Sequence, residues 1–327
     1  MKLSVLRPLI AALCALCALS VTGAAAQAFP NRQVRITSPF PAGSGPDVVA
    51  RMVAEKLAAA WKQPVLVDAR PGANGFIAID AVKRLPATGH ELLLADVGHL
   101  AINPSLFRKL PYDPVNDLAP VSGVYRTAFF IAVAADGPIR SIPDLIAAAR
   151  VRPDAVTYGS NAVGSPLHLG SAQLEAATGT RMLHAPYKEL AQLYGAVVNR
   201  EVTWAMASIA SAGPLFTAGK LRFLAVADRA RSPALPNVPT LEEAGGPKGV
   251  EATTWVVLMA PRGTPPEAAA QIQQAVAAAL RQDDVGQRMR TFGFNPFFAT
   301  PRELGDLIRA DIPRYAEIVR ASGASVD

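Results

Sequence analysis

Apolar and polar positions along the chain alternate with two different periods. The segment QVRIT, residues 33–37, has the two-residue period of a half-buried strand. In the next stretch, apolar residues recur every three or four positions, as on one buried face of a helix. These residues are Val49, Met52, Val53, Leu57 and Trp61. PVLVDA, FIAIDAVKRL and HELLLAD then repeat strand, helix and strand. The pattern predicts a βαβαβ unit with a parallel sheet.

The alternation continues into a second unit. Ser141 followed by Asp144 predicts a helix start, and a further helix is predicted from Pro166 to about Ala177, ended by Gly179. The predicted strands are FFIAVA, VTYG, RMLHAPYKE, VTWAMAS, LRFLAVA and ATTWVVLMA, with helical segments between several of them, and two last helices run from Pro265 to Leu280 and from Pro301 to Arg320. We therefore expect two α/β units.

The turn SPFPAGSGPD, between the first strand and the first helix, is stiff and rich in glycine. Pro46 suits the first turn of a helix, and the glycines before it let bare backbone approach a bound group. Free N–H groups and the positive end of the helix dipole would then face an anion. A plain strand-to-helix connector explains the same residues. PGANG and SNAVGS repeat this chemistry after other strands, which favours a ligand site at the carboxyl edge of the sheets.

The N-terminal segment has the layout of a secretory signal peptide. Lys2 and Arg7 precede a short apolar run, and the small-residue stretch TGAAAQA follows it. The run is too short to span a bilayer, so we expect cleavage near residue 28 and release of a soluble chain. Cys14 and Cys17 are the two cysteines of the chain. Both would leave with the signal peptide, which excludes cysteine catalysis and disulfides in the mature protein.

Composition and motifs exclude several classes of function. The 327 residues include 32 Lys plus Arg and 26 Asp plus Glu, scattered along the chain, so nucleic acid is not an expected partner. A serine hydrolase would need a G-x-S-x-G elbow, which is missing, and Ser165 with His168 has no acidic residue nearby in sequence to orient the histidine. No metal or phosphate-loop motif is present. We expect no enzyme activity, cofactor or metal.

Six segments, in order, resemble the Bug family, the extracytoplasmic solute receptors of tripartite tricarboxylate transporters. The segments are VRITSPFPAGSGPDVVAR, RPGANG, YGSNAVGSPLHLG, HAPYKE, GKLRFLAVADRARSPALPNVPTLEEAG and APRGTPPE. The resemblance implies a type II periplasmic-binding-protein fold, in which two α/β lobes are hinged by two crossing segments around a small carboxylate. With the signal peptide at 1–28, the expected first lobe is 29–126 and 254–327, and the expected second lobe is 127–253.

The resemblance also implies two sets of ligand-contacting residues. The set from the first lobe is Phe40, Gly43, Ser44, Asp47, Ala73, Asn74 and Gly75. The set from the second lobe is Ser160, Asn161, Gly164, Ser165, His168, Tyr187 and Ala207. Hydroxyls, amides and backbone N–H groups can bind a carboxylate without an opposing full charge, which makes release easy.

Five residues depart from what is usual in the family: Ser44, Pro46, Glu189, Trp204 and Ala207. Ala207 stands where an acidic residue is common, while Trp204 adds apolar bulk on the same strand. A strand places residues three apart on opposite faces, so only Ala207 is expected to reach the ligand. The expected ligand is therefore a carboxylate without an amino group, with an apolar body.

Several predicted contacts also have structural interpretations. Asp47 suits the first turn of a helix and would pair with Arg51 four residues later. Asn74 is a common turn former. For His168 a structural role and a role in the cleft have equal weight, and Tyr187 has the alternative of a core aromatic with one hydrogen bond.

Together these features predict a periplasmic receptor that closes on a small organic acid and passes it to membrane subunits of a tripartite tricarboxylate transporter. We expect a monomer. The alternative is a ligand-sensing partner of a membrane signalling protein, which differs only in what the closed form contacts. A secreted hydrolase is the least favoured interpretation.

Overall fold

Eleven strands in two separate sheets organise the part of the chain, residues 29–326, that the computed structural model describes. The strands are β1 Val34–Ser38, β2 Val65–Ala69, β3 Glu91–Asp96, β4 Leu118–Ala128, β5 Phe130–Ala134, β6 Thr157–Ser160, β7 Leu183–Pro186, β8 Trp204–Ala207, β9 Leu221–Val226, β10 Thr253–Pro261 and β11 Asn295–Pro296. The first sheet has the order β11-β4-β10-β3-β1-β2, and the second has the order β7-β6-β8-β5-β9.

Helices pack on both sheets. They are α1 Gly45–Trp61, α2 Phe76–Lys83, α3 Asn103–Leu106, α4 Ile142–Val151, α5 Pro166–Thr178, α6 Leu190–Val198, α7 Ile209–Thr217, α8 Pro266–Leu280, α9 Asp283–Thr291 and α10 Pro301–Ser322. A 3₁₀ turn at Ala73–Gly75 precedes α2, and a π-helical turn at Gly98–Ile102 precedes α3. None of the helices within residues 29–326 combines the length and apolar character needed to cross a membrane. The predicted signal peptide and both cysteines lie outside the described residues.

The predicted βαβαβ unit is confirmed, because β1 pairs in parallel with both β2 and β3. The first sheet is nevertheless mixed, since β10 inserts antiparallel between β3 and β4. The eleven-residue strand β4 was not predicted. It contains Pro120 and Gly123, which weaken a strand pattern. At Gly123 an added Cβ would lie 2.2 Å from the Phe297 carbonyl oxygen, so a side chain there would collide with the neighbouring backbone.

Two crossing segments, 128–130 and 251–253, join the sheets. The Phe129 N–H donates to the Ala252 carbonyl, and the Ala252 N–H donates to the Ala227 carbonyl, both at 2.9 Å. The Ala227 N–H donates back to the Phe129 carbonyl at 2.9 Å. Each sheet with its helices forms one α/β lobe, and these short hydrogen-bonded segments are the connection between the two strand sets.

Both faces of each sheet are buried. The apolar residues of the first sheet divide between two core clusters, and those of the second sheet divide between two more. On β8, for example, Trp204 packs with Tyr158 on one face, while Ala207 packs with Tyr194 on the other. Burial on both faces explains near-continuous apolar strands such as LLLA in β3.

The helix ends predicted from sequence are confirmed in the second lobe. The Ser141 side chain accepts a hydrogen bond from the Asp144 N–H at 3.2 Å, which caps α4. Gly179 ends α5 in the left-handed conformation, with φ of 61°. The short polar helix α9 was not predicted. Its sequence, DDVGQRMRT, has only two buried residues, Val285 and Met289, and therefore a weak apolar period.

Candidate functional site

A cavity of ≈ 460 Å³ lies between the two lobes, beside the crossing segments. The first lobe contributes Phe40, Gly43, Ser44, Gly45, Pro46, Asp96, Tyr125, Thr127, Thr254, Val256, Phe292 and Phe294. The second lobe contributes Phe129, Asn161, Pro166, Leu167, Leu190, Ala191, Ser208, Ala210 and Ser211. The lining is mostly apolar and aromatic with a few polar groups, which is typical of small-molecule sites.

Four helices begin at this cavity. They are α1 from the first lobe and α5, α6 and α7 from the second, and residues of each helix start line the cavity. Helix N-termini carry unpaired N–H groups and the positive end of the helix dipole. Their convergence gives the cavity an environment suited to an anion without any Lys or Arg in its lining.

The glycine-rich turn before α1 is held by its own helix. Gly43 has a φ of 79°, and its N–H donates to the Asp47 Oδ2 at 2.8 Å. Arg51 donates to both carboxylate oxygens of Asp47, at 2.9 and 3.0 Å. The Asp47 side chain is only 1% exposed and does not line the cavity. The ion pair named as its structural interpretation is therefore present, and Ser44 is the N-cap residue of α1.

The floor of the cavity is a row of side chains across three strands. Asp96 on β3 lies opposite Val256 on β10, and Val256 lies opposite Tyr125 on β4. Two residues along the strands, and so on the same face of the sheet, Thr254 lies opposite Thr127. All five residues line the cavity. Sequence reasoning missed this row, although Asp96 ends a predicted strand at the carboxyl edge of the parallel unit, where ligands of α/β sheets bind.

Among residues 29–326, Asp96 is the only charged residue that lines the cavity. Its Oδ1 lies 2.5 Å from the His99 Nδ1 and accepts a hydrogen bond from the His99 N–H at 3.1 Å. Burial raises the pKa of Asp96, but the charge and hydrogen bonds of His99 outweigh it, so the pKa lies below its ordinary value. The cavity thus contains a carboxylate from the first lobe. It was not predicted from the sequence, because the alanine at position 207 of the second lobe indicated a site without an acidic group.

The PGANG loop lies behind Asp96 rather than at the cavity. Gly75 has a φ of 85°, and an added Cβ there would lie 2.1 Å from the His99 Cδ2. Asn74, with a φ of 48°, accepts a hydrogen bond from the Asn103 side chain on its carbonyl at 3.1 Å. This loop therefore supports the histidine that holds Asp96, and Asn74 and Gly75 have the backbone of turn formers.

The SNAVGS loop is organised by two stacked histidines. The His168 and His184 rings lie 3.9 Å apart, and the Ser160 Oγ lies 2.7 Å from the His184 Nε2. The Gly164 N–H donates to the His168 Nδ1 at 2.9 Å, while the Ser165 hydroxyl accepts from the His168 backbone N–H. Burial, together with His184, lowers the pKa of His168 to about 4. The Ser165 hydroxyl thus caps α5 through the His168 backbone, while the His168 ring Nδ1 is hydrogen-bonded to Gly164.

The structure brings only some of the predicted contacts to the cavity. Those that line it are Phe40, Gly43, Ser44 and Asn161. Those outside its lining are Asp47, Ala73, Asn74, Gly75, Ser160, Gly164, Ser165, His168, Tyr187 and Ala207. Ala207 is fully buried in the core of the second lobe. Most of the residues outside the lining belong to loops that carry or support residues of the cavity.

Two α/β lobes, joined by crossing segments around a cavity at converging helix starts, define a two-lobed solute-binding protein. The chain belongs to the tripartite tricarboxylate transporter family receptor (TctC) family, whose model matches residues 49–324. The predicted Bug-type family and the two-lobed fold are therefore confirmed.

Individual relatives cover most of the chain. Protein BugT of Bordetella pertussis (strain Tohama I) is 34% identical over 306 residues, 92% of this chain and 92% of its own length. Among solved structures, R. palustris Rpa4515 with adipate is 33% identical with a TM-score of 0.82, covering 91% of this chain and 100% of that one. MatC (Rpa3494) from Rhodopseudomonas palustris with bound malate is 28% identical with a TM-score of 0.77, covering 89% and 100%.

Proposed function

We propose that the protein is a periplasmic receptor that binds a small organic acid between its lobes and delivers it to the membrane subunits of a tripartite tricarboxylate transporter. The observation that carries this proposal is the convergence of four helix starts on one cavity without a cationic side chain. The structurally similar Rpa4515 and MatC, described with adipate and malate respectively, support a carboxylate as the ligand class. The family assignment favours transport over a membrane sensor.

The bound carboxylate would lie against the starts of α1 and α7. Ser208 and Ser211 cap each other's backbone at the start of α7, and both line the cavity with Asn161. Hydrogen bonds from N–H and O–H donors hold a carboxylate firmly, yet no full positive charge has to be separated from it on release. Phe40 and the stacked pair of Tyr125 and Phe294, with ring centroids 4.1 Å apart, would pack on the body of the ligand.

The remaining predicted contacts are proposed to act mainly by shaping the loops. We propose the division into a first lobe at 29–126 and 254–327 and a second lobe at 127–253. We also propose that a signal peptide is removed on export by cleavage after Ala26 or Ala28. N-terminal sequencing of the periplasmic fraction should give a mature chain that begins at Gln27 or Phe29, whereas a membrane-anchored chain with an intact Met1 would contradict export.

A thermal-shift screen of the mature protein tests the ligand class. The screen contains mono-, di- and tricarboxylates, aromatic acids, amino acids, and neutral amides of the same acids as controls. A ligand at a hundred times its dissociation constant should add about 2.7 kcal/mol to the free energy of unfolding. We expect stabilisation by at least one acid and by none of the amides.

A pair of variants locates the binding event. Asn161→Ala removes an amide from the cavity. It should lower the affinity for the acid that stabilises the wild type by about tenfold. Asn199→Ala removes an exposed amide at the end of α6, away from the cavity, and should bind like the wild type. The proposed site would be contradicted if no carboxylate stabilised the protein, or if the two variants changed the affinity for the acid equally.

A further inference from the structure

The floor of the cavity contains a second polar region, apart from the helix starts. Asp96 is placed by the register of three adjacent strands, with Val256 beside it and Tyr125 on the far side of Val256. Its side chain is 17% exposed. An ionised carboxylate only accepts hydrogen bonds, so Asp96 repels the anionic end of a ligand and attracts a donor.

His99 fixes the orientation of this carboxylate. The backbone N–H of His99 donates to the Asp96 Oδ1, and the ring Nδ1 lies 2.5 Å from the same oxygen. The His99 ring is itself held between the backbone of Gly75 and the edge-on ring of Phe40, whose centroid lies 5.6 Å away. The His99 carbonyl accepts a hydrogen bond from the Tyr112 hydroxyl. The acid is therefore held rigidly at the cavity before any ligand arrives.

Thr254 adds an unsatisfied group to the same floor. Its Oγ1 is buried and has no hydrogen-bond partner in the part of the chain that the structure describes. The opposite Thr127, in contrast, donates to the Gly293 carbonyl at 3.1 Å. A buried hydroxyl without a partner is costly. Thr254 lines the cavity, so rotation of its side chain would present the Oγ1 to a polar group of a ligand.

We propose that Asp96 and Thr254 form a donor-selecting subsite, which makes the protein specific for a carboxylate that carries a hydroxyl or ammonium group on its body. The inference rests on the proposed function. The two residues are diagonal neighbours on adjacent strands, roughly 7–8 Å apart, a span that one small ligand group can bridge. A hydroxyl would donate to Asp96 and accept from Thr254. A ligand whose second ionised carboxylate faced Asp96 would be repelled.

The subsite predicts discrimination within matched sets of acids. Two sets serve as probes: butanoate, 2-hydroxybutanoate and 2-aminobutanoate, and 3-phenylpropanoate, 3-phenyllactate and phenylalanine. Calorimetry on the mature wild-type protein should give a preference of about tenfold or more for a substituted acid over its parent in at least one set. Asp96→Ala should abolish the preference while retaining binding of the parent acid. Asp96→Asn distinguishes the donors, because a neutral acceptor retains part of a hydroxyl preference but loses an ammonium preference.

Two further variants keep the test independent of folding defects. Thr254→Val is nearly isosteric and should reduce the preference roughly threefold or more without changing the carboxylate at position 96. Asp68→Asn removes a charge from β2 of the same lobe, outside the cavity lining, and should retain the preference. Equal wild-type affinities within both sets, or a preference that survives Asp96→Ala, would overturn the subsite alone. If no acid of any kind binds, the result contradicts the proposed function, and the subsite proposal is contradicted with it.

Discussion

The Asp47 carboxylate accepts a hydrogen bond from the backbone N–H of Gly43, with 2.8 Å between the Oδ2 and the nitrogen. The first helix thereby holds the glycine turn that precedes it, and Arg51 holds the acid from the next helical turn. Because Asp47 is buried behind the turn, the residues in front of it, Ser44 to Pro46, form the cavity wall. The shape of this wall is set before a ligand binds.

Asp47→Ala should therefore both destabilise the protein and lower its affinity for the ligand. The substitution leaves the Gly43 N–H without its acceptor and the turn without its anchor, at an expected cost of about 1–3 kcal/mol in the free energy of unfolding. Asp80→Ala is the control. It removes a carboxylate that is 50% exposed and pairs with Lys83 and Arg84 at the surface, so its loss should cost less than about 1 kcal/mol. Urea denaturation of both variants measures the difference, and equal costs would show that the Gly43 contact does not stabilise the turn.

Gly75→Ala should be far more damaging than Gly43→Ala. Both glycines have positive φ, so both substitutions cost about 1–2 kcal/mol in backbone strain. Only at Gly75 would the new Cβ overlap a side chain, that of His99, whereas at Gly43 no atom lies within 4 Å. The steric overlap should add about 1–3 kcal/mol at Gly75. Thermal melting of the two variants tests this, and similar melting temperatures would mean that His99 moves aside without cost.

The free energy of unfolding should fall as the pH is lowered from about 6.5 towards 4. The folded protein holds the pKa of His168 at about 4, below its ordinary value of 6.5, because the ring is buried and stacked on His184. The unfolded chain therefore binds the proton more strongly, and the protein loses up to about 3 kcal/mol across this window. Above pH 6.5 this contribution is fully present.

His168→Asn separates this titration from other acid effects. Asparagine retains an acceptor for the Gly164 N–H but carries no titrating group, so the variant should show a shallower dependence of unfolding free energy on pH. Denaturant titrations at several pH values between 4 and 7 give the two slopes. Identical slopes for the wild type and the variant would exclude His168 as a cause.

Gly164→Ala should oppose closure of the lobes. Gly164 of the second lobe packs against Leu106 of the first, and an added Cβ would lie 2.4 Å from the Leu106 Cδ1. Gly179→Ala is the control, because Gly179 also has positive φ but no atom within 4 Å of the new Cβ. We expect Gly164→Ala to bind ligand about tenfold more weakly or worse, because the added methyl group would push the two lobes apart where they meet.

Small-angle scattering measures the same motion directly. A saturating carboxylate should reduce the radius of gyration of the ligand-free wild type, and the reduction should be smaller for Gly164→Ala than for Gly179→Ala. An unchanged radius in a wild-type sample shown to be ligand-free and open at the start would contradict closure.

The sequence by itself determined the elements that depend on neighbours a few residues away. The cap at Ser141, the run of α5 from Pro166 to Gly179 and the parallel βαβαβ unit follow from short-range hydrogen bonds and from periods of two or about 3.6 residues. The alternation along β8 also placed Trp204 and Ala207 on opposite faces, as observed. The family motifs SPFPAGSGPD and SNAVGS marked two loops that contribute residues to the cavity lining.

Only the tertiary structure decided which side chains those loops and strands present to the cavity. Asp96 and Thr254 share its floor because β10, far along the chain, inserts beside β3, and no local period encodes that pairing. The same long-range packing buries Ala207 in the core of the second lobe and buries Asp47 behind the glycine turn that precedes the first helix. Alternation tells which residues share a face of a strand, but what that face meets is set by burying apolar surface between elements distant in sequence.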